Sequence, residues 1–406
     1  MSSLLAGPGL RDGMERYTAH TTRLGQLPGA SDVVDTLERS GLLGRGGAGF
    51  PAATKWRAVA AQPGRAKVVL VNGAEGEPLS SKDRVLMEHR PHLVLDGAAL
   101  AAHAVGANRV VLYIGEDHAA SRSALERALL ERPADGRLRT VVVSAPARYV
   151  AGEESAAVNR VTSGTALPTT TPPRPFVSGV DGQPTLVQNV ETLAHAAMIA
   201  RFGDSWYRSL GVTSPGTVLL TVSGAVTSPG VVEVAHGATV AEAVTAAGGL
   251  STPASAVLVG GYFGRWATAA DAWNLGLDAT RLRAEGLTLG CGVVAVLPEA
   301  RCGVVETARI LGYLAEQSAR QCGPCVFGLR AMAEAAQRVA AMGGEAGDLE
   351  RLRRWAGQLR GRGACHHPDG AAGLLDSALR AFEGEYAAHH EHRRCGAGVA
   401  RALAAA

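Results

Sequence analysis

Aromatic residues are scarce in the sequence and no charge sign dominates, and these two absences narrow the protein classes to consider. Phe, Trp and Tyr make up 4% of the 406 residues, whereas glycine contributes 51 residues. This composition suits tight α/β packing better than an aromatic-rich binding surface. Lysine plus arginine exceeds aspartate plus glutamate by 40 − 37 = 3 charges, too few for a nucleic-acid-binding surface. We therefore predict no nucleic-acid partner.

Long apolar runs are also absent. No stretch reaches the roughly 18 apolar residues that a membrane span needs, and the first residues lack the charged-then-apolar layout of a signal peptide. We therefore expect a cytoplasmic protein with no direct membrane span, docked on other subunits or peripheral at the inner face of a membrane. In that compartment cysteines indicate metal or redox chemistry before disulfides. The six cysteines are Cys291, Cys302, Cys322, Cys325, Cys365 and Cys395.

Strand and helix patterns alternate between residues 68 and 145. Short apolar runs such as "VVLV" at 68–71 and "RVVLYIG" at 109–115 predict strands, and helical patterns separate them. This alternation predicts a parallel, doubly wound sheet, in which ligands bind beyond the carboxyl ends of the strands. The loops "NGAEGEP" (72–78) and "YVAGEES" (149–155) lie at such ends.

The pattern changes twice in the second half of the chain. A hairpin, one short helix and two more strands predict a small α+β domain, and the segments after residue 303 predict a four-helix bundle. The predicted organisation is a helical segment at 1–40, an α/β domain at 41–212, the small domain at 213–299 and the bundle at 300–406.

The glycine-rich stretch "GRGGAGFPAATKW" (44–56) contains the pattern G-x-G-x-x-G at Gly44, Gly46 and Gly49. Such a loop lets backbone N–H groups approach a phosphate. By spacing alone the signal is weak in a glycine-rich chain, and here the loop follows a predicted helix, whereas a dinucleotide-binding loop follows a strand. A phosphate site and a chance match therefore both stay open at this point.

The two strand-end loops carry an amide and several carboxylates: Asn72, Glu75, Glu77, Glu153 and Glu154. Loop acids are most often simply solvated. Two such loops, together with a glycine loop and Lys55, instead offer what a cofactor pocket needs, a cation and amides for phosphate and acids for hydroxyls.

The bundle carries a C-x-x-C pair, Cys322 and Cys325, and a third cysteine forty residues on, Cys365. Zinc, an iron–sulfur cluster or a redox dithiol are all open, although a thioredoxin-type dithiol would need a preceding strand. A zinc site would take His366 or His367 as its fourth ligand. We expect Cys291 and Cys302 to be buried bystanders, and "HHEHRRC" (389–395) to be a solvated helix end rather than a metal site.

Five motifs together resemble the NADH-binding flavoprotein subunit of respiratory complex I and its relatives in NAD-reducing hydrogenases, formate dehydrogenases and Rnf-type complexes. They occur in that family's order and span about residues 40 to 370: "GRGGAGFPAATKW", "VNGAEGEPLSSKDRVLME", "YVAGEESA", "GVDGQPTLVQNVETLA" and "CGPC". The resemblance implies a Rossmann-like FMN and NADH domain, a ubiquitin-like β-grasp (SLBB-type) domain and a helical iron–sulfur bundle. It also implies hydride transfer from NADH to FMN, then single-electron transfer to a [4Fe-4S] cluster and a partner subunit.

The resemblance assigns site residues position by position. No side chain is catalytic, because the flavin carries out the chemistry, but Glu77 and Glu154 would lie near hydride transfer, and Phe50 would stack on the nicotinamide. The cluster ligands would be Cys322, Cys325 and Cys365. The residues implied to contact FMN are Gly44, Gly46, Lys55, Asn72, Glu75, Tyr149, Gly152, Glu153 and Asn189.

The sequence departs from the family pattern in both predicted sites. The family's first cluster cysteine is Ala319 here, so we expect a [3Fe-4S] cluster or a [4Fe-4S] cluster with a different fourth ligand. The acid between Asn72 and Glu75 is Ala74, a second aromatic would fall at Ala58, and the Lys and Phe that frame the NADH entrance would fall near Thr171 and Arg174. The fourth-ligand candidates are a water, Ser318, His366, His367 and Cys395.

These departures keep two alternatives open. One is an FMN and iron–sulfur electron carrier that does not use NADH, and the other is a cofactor-free assembly subunit. The partner implied by the resemblance is a thioredoxin-like [2Fe-2S] protein, and a ferredoxin is the alternative.

Overall fold

The computed structural model describes residues 3–64, 66–133 and 135–397. The outer ends of the predicted segments 1–40 and 300–406 therefore lie outside the described residues. The chain divides into two compact units. The first comprises Met1–Gly76, Ser80–Leu220 and Glu233–Ala238, and the second comprises Glu77–Leu79, Thr221–Val232 and Thr239–Ala406.

The first unit is built on a parallel four-stranded sheet. Its strands are β1 (Val68–Gly73), β2 (Arg109–Gly115), β3 (Arg139–Ala145) and β4 (Thr185–Asn189). The order is β3-β2-β1-β4, and every neighbouring pair is parallel. Because β2 and β3 extend the sheet on one side of β1 and β4 on the other, the strand order reverses between β1 and β4. Ligands of doubly wound sheets bind at such a reversal. The predicted parallel sheet is confirmed, and β4 is an additional strand.

Helices cover both faces of this sheet, as its apolar strands require. The close approach of two of them depends on Gly97, where an added Cβ would lie 2.1 Å from the carbonyl oxygen of Leu193. The helices of the first unit are α1 (Tyr17–Leu24), α2 (Val33–Ser40), α3 (Ala52–Ala60), α4 (Lys82–His89), α5 (Pro91–Val105), α6 (Ala119–Glu131), α7 (Glu154–Ser163), α8 (Val190–Phe202) and α9 (Asp204–Ser209).

The second unit begins with a mixed five-stranded sheet and three short helices. The strand order is β6-β5-β9-β7-β8, and the first residues of β5 and the last of β6 are counted with the first unit. The elements are β5 (Thr217–Gly224), β6 (Gly230–Ala235), α10 (Val240–Ala246), β7 (Ala254–Val259), β8 (Arg265–Thr268), α11 (Ala269–Ala272), α12 (Ala279–Ala284) and β9 (Val293–Pro298). The predicted hairpin, helix and two further strands are all present.

The remainder of the second unit is helical. Its helices are α13 (Gly303–Glu316), α14 (Leu329–Ala340), α15 (Asp348–Leu359), α16 (His367–Ala381) and α17 (Glu383–Glu391). The last predicted helix is in fact two, because Phe382 adopts φ −120° and ψ 30° between α16 and α17. Across the described residues, no helix combines the length and the apolar character that crossing a membrane demands.

Candidate functional site

Two asparagines lie side by side where β1 and β4 end. Asn72 and Asn189 are register partners on the parallel strands. The Asn72 side-chain amide donates to the Gly152 carbonyl at 2.8 Å, and the Asn189 amide donates to Asp83 Oδ2 at 2.6 Å. The reversal point of the sheet is therefore lined by amides that tie together the loops singled out from the sequence.

The glycine loop lies directly before α3. The Gly44 N–H donates to the Phe50 carbonyl at 2.8 Å and closes the loop. Gly47 and Gly49 have φ values of 112° and 62°, which favour glycine. Residues 45–48 form a turn, and Gly46, Gly47 and Ala48 carry at most a methyl group, so a ligand can approach the loop's backbone closely. A glycine-rich turn ahead of a helix can present backbone N–H groups to an anion.

Arg45 anchors this loop, a role that the sequence alone did not indicate. Its backbone N–H donates to Thr192 Oγ1 at 2.9 Å, and its buried guanidinium donates to the Tyr207 hydroxyl at 3.0 Å and to the Thr217 carbonyl at 3.1 Å. The next residue, Gly46, packs against the β4 end, since an added Cβ would lie 3.2 Å from that of Asn189.

Lys55 and Glu154, predicted on different motifs, form an ion pair with an N···O distance of 2.7 Å. Their side chains are 26% and 31% exposed, so both remain within reach of a ligand. Phe50 is 53% exposed. An exposed aromatic ring and a partly exposed cation are each suited to contact with a flat, charged ligand.

Two of the predicted carboxylates are held by helix N-termini. Glu75 accepts hydrogen bonds from the N–H groups of Asp83 and Arg84, at 3.0 and 2.9 Å, and has a φ of 40°. Glu153 caps α7 by accepting from the N–H groups of Ser155 and Ala156, both at 2.9 Å. A positive φ at a non-glycine residue is costly and occurs most often at functional sites. These bonds fix the positions of both loops.

The sequence analysis also did not single out a buried lysine, Lys82, next to the two strand-end loops. Lys82 Nζ lies 2.9 Å from Asp83 Oδ1 and 2.8 Å from Glu191 Oε2. Burial alone lowers the pKa of Lys82, but the neighbouring carboxylates raise it above its ordinary value. Burial raises the pKa of Glu191, and the Lys82 ammonium outweighs it and lowers that pKa to about 2. The adjacent Lys-Asp pair in a strand-end motif was the signal available in the sequence.

Two other predicted site residues, Tyr149 and Glu77, lie in different surroundings. Tyr149 begins a short 3-10 turn, Tyr149–Gly152, against which Gly76 packs without a side chain. Glu77 belongs to the second unit, where it is 8% exposed and its Oε2 accepts from the Tyr262 N–H at 2.9 Å. The structure thus brings Lys55, Glu154 and the loop ends together within the first unit, and holds Glu77 by contacts in the second.

In the second unit Cys325 interacts with both of the other predicted cluster cysteines, Cys322 and Cys365. Burial raises the pKa of Cys322, but N–H groups of Ala364 and Cys325 outweigh it and hold that pKa below its ordinary value. Burial, reinforced by Cys322 and Cys365, raises the pKa of Cys325 to about 12. Cys325 is buried, whereas Cys322 and Cys365 are half-buried. Two thiols gathered around a third fit an iron–sulfur cluster.

The fourth-ligand candidates differ in their surroundings. The His366 side chain is 97% exposed, while His367 is buried with its Nε2 2.7 Å from the Leu314 carbonyl oxygen. Ala319 lies in the segment after α13, three residues before Cys322. Cys395 lies in a different group of ligands.

That second group bears on the expectations for Cys302 and for the segment 389–395. Ligand atoms of Cys302, His389 and Cys395 all lie within 4.8 Å of one another. Cys302 is buried, as expected, and burial together with the Glu385 carboxylate raises the pKa of Cys302 well above its ordinary value. Residues 391–394 are exposed, as expected of a solvated helix end. The prediction is wrong for His389, which is 1% exposed because α17 turns it inward.

Comparisons with known proteins agree with this architecture. Residues 37–198 match the Nuo51 FMN-binding domain, residues 219–261 match the SLBB domain, and residues 306–389 match the NADH-ubiquinone oxidoreductase-F iron-sulfur binding region. The Rossmann-like FMN domain, the SLBB domain and the helical iron–sulfur region predicted from the resemblance are thereby confirmed.

Relatives that match over most of the chain support the same family assignment. The chain is 34% identical over 394 residues to an F-type subunit of the NADH-quinone oxidoreductase of Rhizobium meliloti, covering 93% of each protein. It is 30% identical over 388 residues to the NADP-reducing hydrogenase subunit HndC of Solidesulfovibrio fructosivorans, covering 92% of this chain and 79% of that one. A crystal structure of an NAD+-reducing [NiFe]-hydrogenase in the H2-reduced state superposes with a TM-score of 0.82 at 30% identity, over 93% of this chain and 67% of that one.

Proposed function

Because the chain belongs to the family of F-type NADH-quinone oxidoreductase subunits, we propose that it accepts hydride from NADH at an FMN held by the glycine loop and delivers single electrons to a partner subunit. The chain is an FMN and iron–sulfur flavoprotein subunit with an electron-transfer role. Its relatives are oxidoreductase subunits of multi-subunit NADH dehydrogenase or hydrogenase complexes.

The glycine loop is the observation that carries this proposal. The turn at residues 45–48 has glycine at 46 and 47 and alanine at 48, which leaves the backbone open to close approach, and Lys55 lies partly exposed on the following helix. Backbone donors and one cation match an anionic phosphate. Asn72 and Asn189 supply amide groups at the strand ends. The donor set fits FMN, and we assign the predicted contact residues to it.

When bound, FMN takes up two electrons as hydride and releases them singly, and an iron–sulfur cluster carries them one at a time. The chain's own residues bind, orient and shield. Lys55 would neutralise phosphate charge, Phe50 would offer a stacking face, and Glu154, already paired with Lys55 at 2.7 Å, would lie beside the nicotinamide. Glu77 keeps its predicted role near hydride transfer.

Cys322, Cys325 and Cys365 would hold the iron–sulfur cluster, which would supply single-electron transfer to an acceptor. Val326 and Phe327 directly follow Cys325 and are 40% and 75% exposed. An apolar surface beside the cluster ligands suits the docking of an electron acceptor, because exposed apolar patches mark interaction sites. We propose a thioredoxin-like [2Fe-2S] protein or a ferredoxin as that partner, and a peripheral position at the inner face of a membrane.

The domain boundaries that we propose remain 1–40, 41–212, 213–299 and 300–406.

One observation favours a second candidate function. Ala58, Thr171 and Arg174 stand where the family has residues that contact NADH, so the proposed nicotinamide pocket has fewer aromatic side chains. In it the chain carries electrons on FMN and iron–sulfur without using NADH. Retained Phe50, more than half exposed, favours NADH use.

Flavin binding by matched variants tests the assignment of the loop. Replacing Lys55 with Met removes a charged partner of the phosphate, for which we expect FMN affinity to fall about 10- to 100-fold. Arg57→Met on the same helix removes only exposed pairings with Asp35 and Glu38 and should leave FMN affinity unchanged. FMN titration of the apoprotein, followed by flavin fluorescence, gives both constants. Equal affinities for the two variants would overturn the assignment.

A further inference from the structure

We propose that Cys302, His389 and Cys395 form a second metal centre, a zinc site separate from the iron–sulfur ligands. The three side chains come from the residue before α13, from α17 and from the segment beyond it. Their ligand atoms lie within 4.8 Å of one another. Cys302 and His389 are 3% and 1% exposed. A converging Cys-His-Cys set in a buried position is what a zinc ion requires.

The hydrogen bonds of His389 orient it as a metal ligand. Its Nδ1 lies 3.3 Å from the Val339 carbonyl oxygen, which can only accept a proton. Nδ1 therefore carries the hydrogen, and the lone pair is on Nε2, which lies 3.4 Å from Cys302 Sγ. Metal-binding histidines characteristically donate their other ring N–H to a carbonyl or carboxylate, which fixes the tautomer and the ring plane.

The spacing of the ligand atoms distinguishes one ion from a cluster. Two thiolates bound to one zinc at about 2.3 Å lie about 3.8 Å apart. The observed limit of 4.8 Å allows that geometry with small side-chain movements. Two sulfurs and one imidazole favour zinc over magnesium or calcium, which prefer oxygen ligands.

Three protein ligands leave the fourth position of a tetrahedral zinc ion to water. Glu385 is placed to accept a proton of that water, since its Oε2 lies 3.3 Å from Cys302 Sγ and accepts the Gly303 N–H at 3.0 Å. The ion would tie the start of α13 to the end of α17 and the segment after it. Because the ion would link these segments, its binding free energy would contribute to the folding free energy.

Metal analysis of the full-length protein and its cysteine variants tests the site. We expect about one zinc per chain after incubation with zinc and desalting. Cys395→Ser should lower the zinc content about tenfold or more while leaving iron unchanged. Cys322→Ser should lower iron while leaving zinc unchanged. Cys291→Ser, a matched control outside both groups, should change neither metal. Cys395 is half-buried, so its serine variant should fold.

Cobalt substitution provides a second readout. Co²⁺ in a tetrahedral site with two thiolates should give thiolate-to-metal charge-transfer absorption that Cys395→Ser removes. Zinc content unaffected by Cys395→Ser, or iron lost together with zinc in that variant, would overturn the proposal. So would a thiol titration of the denatured, chelated protein that finds Cys302 and Cys395 joined in a disulfide.

Discussion

The glycine-loop region of the first unit and the two cysteine groups of the second unit satisfy their polar side chains in different ways. In the glycine-loop region, charged groups pair with one another or with helix ends: Lys55 with Glu154, Lys82 with Asp83 and Glu191, and Glu75 with the start of α4. In the second unit, five cysteines and His389 gather in two groups of potential metal ligands.

This difference indicates which cofactor contributes to the folding free energy of its unit. The proposed flavin site is preorganised by its own ion pairs and caps, so a bound cofactor would add function to a scaffold already in place. Grouped thiols gain most of their bonding from a metal, and metal-binding free energy then becomes folding free energy. The first unit should therefore tolerate loss of its cofactor, and the second should not.

Metal removal should have the largest effect and would break the comparison most directly. In protein stripped of iron and zinc by a chelator, we expect amide hydrogen exchange in α13 and α17 to accelerate about a hundredfold or more. Exchange in β1 and α8 should change little, and stripping FMN instead should leave both pairs of elements nearly unchanged. Mass spectrometry resolved by peptide measures each segment. Equal acceleration in α13 and α8 would contradict the difference between the two units.

Removing the buried lysine should have the next largest effect. Lys82→Met leaves Asp83 and Glu191 buried without their cation, and breaking such a group costs about 3–5 kcal/mol. Denaturant unfolding followed by tryptophan fluorescence gives the loss. Lys67→Met is the control, because Lys67 donates to the uncharged Ala60 carbonyl and pairs with no carboxylate among the described residues. Adding Glu191→Gln to Lys82→Met should recover part of the stability. A loss no larger than that of the control would show that the network is not what holds the site.

Acid should act on the first unit through its paired carboxylates. Burial raises the pKa of Glu15, but hydrogen bonds from His20 and Arg23 outweigh it and lower that pKa from 4.5 to about 2. The folded-state pKa lies below the unfolded value, so this carboxylate stabilises the fold above pH 4.5, and the stabilisation is lost as pH falls towards 2. Glu15→Gln should make Tm fall less steeply with pH in that window. The corresponding change in unfolding free energy is about 1–2 kcal/mol.

The exposed Glu38 provides the matched control for this pH effect. Its partner Arg57 is also exposed, and surface pairs contribute little to stability. Glu38→Gln should therefore leave the pH profile of Tm unchanged. Identical profiles for Glu15→Gln and the unaltered protein would show that this carboxylate is not a stabilising group.

The smallest expected effect is on the amount of iron bound at the predicted cluster cysteines. Ala319→Cys restores a thiol three residues before Cys322, and we expect iron to rise from about three to about four atoms per chain, since four-iron clusters take four cysteines. Ala315→Cys on α13 adds a thiol at a different position and should leave iron unchanged. Iron analysis and EPR of the oxidised protein report both. Four irons per chain before the change would show that another ligand already completes the cluster.

The parallel sheet, the small mixed domain and the helical region could be predicted because apolar periodicity and turn residues record them locally. β4 could not, since "TLVQN" is too short to indicate a strand until its pairing with β1 supplies the context. The break at Phe382 was hidden for a similar reason, because the helical pattern continues across it.

The candidate site was partly predictable in the same sense. Lys55 and Glu154 stood out on separate motifs, and their pairing at 2.7 Å needed the fold. Arg45 and Lys82 were missed because a buried cation is recognisable only once its carboxylate or carbonyl partners are known. His389 and Cys395 lie in one short segment, but Cys302 precedes His389 by 87 residues, so no local spacing links it to them.

The anaerobic visible spectrum of the purified protein before and after NADH addition tests the central claim most directly. We predict a flavin absorption band that bleaches when NADH is added, with Phe50 and Glu154 sufficient for nicotinamide binding despite Ala58 and Thr171. A flavin band that dithionite bleaches and NADH leaves unmoved would contradict NADH use and establish the chain as an electron carrier supplied by another donor. A preparation that binds no flavin under any condition would contradict the assignment of the glycine loop itself.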